Sequence, residues 1–166
     1  MTNKLIPATV IIMAIALCAA ATGWSDTSPQ IQLKATAQVE VVIVDDEGRH
    51  LKKLLPTEKV LPGTEIICTV IYHNPTDQTA EHVVITNPIP EQIRYQNQSV
   101  FGEKARVTFS VDNGQSFNLP QNLYLSDATG TPVPAKPDDY THIRWKLQDP
   151  IPPRASGQVG FRAVMQ

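Results

Sequence analysis

Four histidines, two acidic clusters, two cysteines and a few aromatic side chains are the residues of this chain that could do chemistry. His50, His73, His82 and His142 form no close pair with metal-ligand spacing, and no cysteine cluster accompanies them. His73 and His82 flank a polar connection and could approach each other across it, but exposed histidines at strand ends are the simpler expectation. Asp45, Asp46 and Glu47 make one acidic turn and Asp138 and Asp139 another. Carboxylate oxygens suit calcium, yet neither run has the spaced D-x-D-x-D-G ladder of a dedicated loop, so solvated turns are expected. There is no G-x-S-x-G elbow, and Cys68 sits in an apolar run rather than an electropositive setting. The chain is therefore expected to be non-enzymatic, with no catalytic residue, no cofactor and no metal. Tyr95, Tyr140 and Trp145 are the residues an alternative function would need, that of a carbohydrate-binding module or a cryptic hydrolase of envelope glycans. Such a site requires an exposed aromatic platform or a close carboxylate pair. Trp145 alternates with Ile143 and Leu147 and is expected in the core instead.

The bulk composition narrows the partners. The 166 residues suffice for one domain with its own core. Net charge is -2, from 14 Lys+Arg against 16 Asp+Glu, with the signs interspersed along the chain. No basic stripe marks a nucleic-acid surface. The first residues differ from the rest. Lys4 precedes an apolar run over 5–17, and Ala19, Ala20 and Ala21 offer the small-x-small pattern of a secretory signal. That run falls short of the ~20 residues a membrane span needs. Residues 1–23 are thus expected to be a signal peptide, cleaved near 21–25, so that the chain meets a membrane only during export and ends in the periplasm or outside the cell. Cys18 follows Leu17 rather than a small residue, which argues against lipidation. If Cys18 leaves with the signal, Cys68 stands alone and no intramolecular disulfide can form.

Beyond the signal, the chain reads as strands. Residues 24–36 look like a flexible leader, and 37–166 like a β-domain. Residues 37–44 (AQVEVVIV) place Val39, Val41 and Ile43 on one face. An acidic turn closes that strand, and 49–61 suggest an edge strand and a loop. Residues 65–73 alternate with apolar side chains on both faces, as in a central strand. Asn74-Pro75 ends that run, because the residue before a proline is held extended and proline cannot donate to a ladder. Short strands are expected near 82–86 and 93–95. Over 106–111, Val107, Phe109 and Val111 point inward and Arg106, Thr108 and Ser110 outward. Asn113-Gly114 supplies turn chemistry with positive φ at both central positions. A further strand is expected near 122–125. The proline-rich stretch 127–139 cannot be a central strand. Residues 141–147 and 157–165 alternate again. Seven or so short strands separated by turns fit an all-β, immunoglobulin-like antiparallel sandwich after an N-terminal signal peptide.

Residues 61–165 also resemble a known family. Pro62-Gly63 before a strand, the strand ending at Asn74, VVITNPIP leading to Tyr95, the SVDNGQSF hairpin, THIRWKL before a proline-rich break and the closing SGQVGF occur in one order. Together they resemble the bacterial conserved-repeat domain known as domain of unknown function eleven. The resemblance implies a β-sandwich of the cell envelope or surface and carries over no catalytic residue, since the shared positions are turns and core. Many members are tandem arrays, whereas one copy is present here. The expected function is that of an exported module supporting contacts with an envelope or surface protein. Two loops are candidates for those contacts: 74–81, with Asn74, Asp77 and Glu81, and 127–139, with Asp138 and Asp139.

Overall fold

The computed structural model describes residues 31–56, 60–102 and 104–166. The expected signal peptide and residues 24–30 of the leader lie outside the described residues. The described chain is all-β. Its strands are β1 (Gln32–Val44), β2 (His50–Pro56), β3 (Glu65–His73), β4 (Val84–Pro88), β5 (Ile93–Tyr95), β6 (Ala105–Ser110), β7 (Tyr124–Ser126), β8 (Pro132–Pro134), β9 (His142–Leu147) and β10 (Ser156–Met165). Helical structure among these residues is limited to two 3-10 turns, Pro120–Asn122 and Pro137–Asp139. No helix among them is long and apolar enough to cross a membrane.

The strands form a five-stranded sheet of order β2-β1-β3-β10-β5, a three-stranded sheet of order β4-β9-β6 and a small β7-β8 ribbon. Every named strand pair is antiparallel. Alternation along each strand decides which side chains meet. From the large sheet, Ile66, Val70, Val159, Phe161, Ala163, Ile93 and Tyr95 enter one core with Ile85, Phe109, Ile143, Trp145 and Leu147 of the small sheet. Trp145 and Ile143 have no exposed surface. Each large apolar side chain buried in this way contributes about 1.5–3 kcal/mol. The result is a sandwich-like packing in which β9, with Ile143, Trp145 and Leu147, and β10, with Val159, Phe161 and Ala163, carry much of the core.

Several expectations hold at the level of single residues. Residues 65–73 form one central strand between β1 and β10. Ile143, Trp145 and Leu147 do face inward together. Asn113 and Gly114 have φ of 57° and 83°, the pair of positive values that the Asn-Gly turn requires. Others are corrected. Residues 32–36, expected in a flexible leader, are the first part of β1, and Gln32 to Thr36 pair with His73 to Thr69 of β3. Polar side chains there conceal a period-two pattern whose other half is Leu33, Ala35 and Ala37. Ser110, expected to point outward, is fully buried. Its hydroxyl accepts from the backbone N–H of Asp112 (3.2 Å) and Gly114 (2.9 Å) and donates to the Asp112 carboxylate (2.6 Å), so it closes the turn from inside.

Candidate functional site

The two loops nominated for contacts stand at opposite ends of β9. Residues 74–81 lie at its C-terminal end, where Ala80 bridges Ile151, and residues 137–139 lead into its N-terminal end. They do not form one surface. Asn74 has no exposed surface to offer a partner. Its amide nitrogen donates to the carbonyls of Gln78 (2.7 Å), Ile151 (3.1 Å) and Pro152 (3.1 Å), while its amide oxygen accepts from the Thr76 N–H (3.1 Å) and hydroxyl (2.7 Å). The side chain ties two loops together and satisfies backbone groups that the turns leave unpaired. Asp77 is exposed and pairs with Arg154 at 2.9 Å, and Glu81 is exposed.

At the other end, Asp138 is exposed, and Asp139 accepts a hydrogen bond from the Lys136 N–H (2.7 Å), which holds the 3-10 turn. A cavity of about 270 Å³ lies between residues 89–95 and this turn, with Glu91, Arg94, Asp138 and Asp139 on its wall. The 127–139 stretch is not a plain loop, since β8 lies within it and pairs with β7 just before it.

Two of the histidines have contacts of their own. His73 Nδ1 lies 2.8 Å from the Ser156 hydroxyl, and the His142 ring meets the edge of Phe117. No group of three metal-ligating side chains occurs among the described residues. Burial pushes the Cys68 thiol up to about 11, so little thiolate is present at neutral pH. Tyr95, Tyr140 and Trp145 are all buried. Tyr140 stacks within the Tyr95–Phe109 group, with ring centroids 4.5 Å from Phe109 and 6.0 Å from Tyr95. The aromatic platform that a glycan site would need is therefore absent from these residues.

The surface that stands out is one flank of the sandwich. The large sheet has two more strands than the small one, and no described strand covers the excess. β6 lies over β5, with Phe109 and Tyr95 rings 5.5 Å apart, while the end of β4 lies beside β1 and β3. No described strand of the small sheet continues beyond β4 to cover β1 and β2. On the inward-facing side of these strands, Leu33 is 54% exposed, Leu51 44% and Leu55 39%. A cavity of about 260 Å³ opens there, lined by Ala35, Ala37, Cys68, Val70, Asn87 and Pro88. Ladder geometry defines its rim. Val83 O accepts from Leu147 N (3.0 Å) and Ile89 N donates to Thr141 O (2.8 Å). In an antiparallel pair these bonds fall on alternate residues, so Val84 and Thr86 turn their N–H and C=O groups to the unpaired side.

No described strand pairs with β2 on its outer side either, and on the opposite face of this ribbon Val42 and Val44 are more than half exposed. An edge strand with apolar side chains is a template for a partner strand unless something blunts it. Here Lys52 and Lys53 do part of that work, with Lys52 held 2.7 Å from Glu40, whose carboxyl that contact lowers below its ordinary range. The edge position of β2 matches its mixed lysine–leucine sequence, whereas Leu33 and Ala35 were not expected in the sheet. The signal for them was the alternation beginning at Gln32, which the polar composition of the segment masked. Comparison with protein-family models, with curated proteins and with solved structures finds no match.

Proposed function

We propose that this chain is an exported, non-enzymatic immunoglobulin-like module of the bacterial cell envelope that docks other proteins through its open flank. The carrying observation is the largely apolar face of β1 and β2, interrupted by Lys53, that no described strand covers, beside the edge of β4 that no described strand pairs. Exposed apolar side chains clustered on one side of a monomer mark interaction surfaces. A free sheet edge next to such a face supplies main-chain hydrogen bonds as well, which is the way extended peptides join a sheet. The apolar leading segment and the resemblance to the conserved-repeat domain support the envelope location, periplasmic or extracellular. The sandwich serves as a rigid scaffold, and the Asn74 node holds one end of it closed.

The test is a photo-reactive side chain placed at Ala35, at Leu51 and, for comparison, at Asp77 and Asp138, followed by irradiation of intact cells and envelope fractionation. Crosslinks to another envelope protein from the two flank positions are expected. Crosslinks confined to Asp77 or Asp138, or recovery of the protein alone from every position, would overturn the assignment.

A further inference from the structure

We infer that the partner presented to this flank is an extended segment in which apolar and acidic residues alternate, added as a strand to the free edge of β4. The inference rests on the docking role above and names its ligand chemistry. A strand placed there hydrogen-bonds the outward groups of Val84 and Thr86, and its donors stop at Pro88, which has no N–H. Its side chains then alternate between two very different surroundings. One set points down over Ala35, Cys68 and Val70 into the apolar cavity. The other set points out, onto the solvent face of the small sheet.

That outer face is basic. Cross-strand pairing sets Val84 beside Lys146 and Lys146 beside Arg106, with Thr86, Arg144 and Thr108 in the next row. Neither Arg106 nor Lys146 has an ion-pair partner among the described residues, although like charges directly opposite each other are unfavourable. Arg144 is held in place: its guanidinium carbon lies 3.5 Å from the centroid of the Phe117 ring, and its Nε donates to the Thr86 hydroxyl at 3.2 Å. It therefore leans toward β4, the strand that the added segment would join. The outer face of the large sheet differs, because there Arg162 pairs with Glu65 at 2.6 Å and Lys52 with Glu40 at 2.7 Å. In a chain of net charge -2, Arg144 and Lys146, one strand in from the β4 edge and without an ion-pair partner among the described residues, are a local feature that acidic side chains would complement.

The chain itself offers poor alternatives. Its own residues 25–30, SDTSPQ, have no apolar alternation, and β2 of a second copy, HLKKLLP, would set one of its two adjacent lysines against Arg144 and Lys146 and turn the other into the apolar cavity. The experiment uses fluorescent peptides of about eight residues, roughly the length of a strand. One alternates Val with Asp or Glu, one alternates Val with Lys, and one has the first composition sorted into an apolar and an acidic block. Fluorescence anisotropy against the intact protein is expected to show binding of the alternating acidic peptide alone, weakening as salt rises. Lys146→Glu, and separately Arg144→Glu with Lys146→Glu, should weaken it by about tenfold for the double change, as expected for two partly exposed pairs turned repulsive. Thr86→Pro, which removes an edge donor, should weaken all strand-like binding. Equal binding of the block peptide, or an affinity indifferent to charge reversal, would overturn the inference. If no peptide binds while photo-crosslinks from Ala35 still reach another protein, the acidic-strand inference falls and the docking role stands; if those crosslinks are missing as well, both fall.

Discussion

Replacing Asn74 by Ala should be the most damaging single change at the loop end of the domain. The substitution removes the donor to the Gln78, Ile151 and Pro152 carbonyls and the acceptor for the Thr76 N–H and hydroxyl. The amide has two protons for three carbonyls, so about four effective bonds are lost, at ~0.5–1.5 kcal/mol each. Because the site is buried, water does not readily replace them, and a loss of about 3–5 kcal/mol is expected out of a typical ~5–15 kcal/mol. In urea unfolding at 25 °C with a slope near 2 kcal/mol per molar, the midpoint should fall by about 2 M. A second variant tests the electrostatics. In Asn74→Asp a carboxylate would face the same carbonyl oxygens, which raises its folded pKa above the unfolded value of about 3.9. Stability is then greatest below pH ~4 and declines as pH rises through the folded pKa, so the aspartate variant should fall behind the alanine variant near neutrality and recover in acid. A midpoint shift equivalent to less than about 1 kcal/mol for Asn74→Ala, or an Asp variant indifferent to pH, would refute the role of Asn74 as the buried tie between the two loops.

Other expectations rest on equally local features. A methyl group at Gly160 would collide with the Cys68 carbonyl oxygen and the Phe101 ring, whereas one at Gly130, with φ of 82°, meets nothing. Thermal unfolding should show Gly160→Ala losing about 1–3 kcal/mol or more and Gly130→Ala only the ~1–2 kcal/mol of left-handed strain. The Cys68 thiol, pushed up to about 11, should react slowly with an aromatic disulfide reagent at pH 8 and rapidly once urea unfolds the chain. Because its folded pKa lies above the ordinary 9.0, the stability it contributes is intact below pH 9.0 and is lost as pH rises toward about 11, which alkaline unfolding curves of wild type and Cys68→Ala would register. Hydrogen bonds from the Ser110 and Ser116 hydroxyls hold the Asp112 carboxyl well below its ordinary 3.8. Its contribution is therefore present above pH 3.8 and lost as pH falls below it, and acid unfolding should begin at higher pH when Ser110 is replaced by Ala.

Much of this protein was legible in the sequence because the signals are local. Period-two alternation marked β3, β9 and β10 and their inward residues. The Asn113-Gly114 pair marked its turn, since positive φ is a property of those two residues. The proline-rich stretches excluded themselves from central positions by lacking an N–H. Local signals also misled where their meaning depended on distant partners. Asn74 looks like a polar loop residue until the carbonyls of Ile151 and Pro152 are brought against it. Ser110 looks like an outward strand position until the turn folds over it. The candidate site was almost wholly hidden. Leu33 and Ala35 belong to a pattern that could be read, but nothing local says that the small sheet stops short of covering them. Likewise, Lys146 and Arg106 lie far apart in sequence within interspersed charge, and only antiparallel pairing across β9 and β6 concentrates them on one face. By itself the sequence determined most of the strands, the Asn-Gly turn and the apolar face of the strands that alternate cleanly, because these follow from backbone sterics and side-chain alternation. The tertiary structure alone decided which apolar face is buried and which is left open, and where cations gather, because burial and field are set by neighbours that the chain brings together only when it folds.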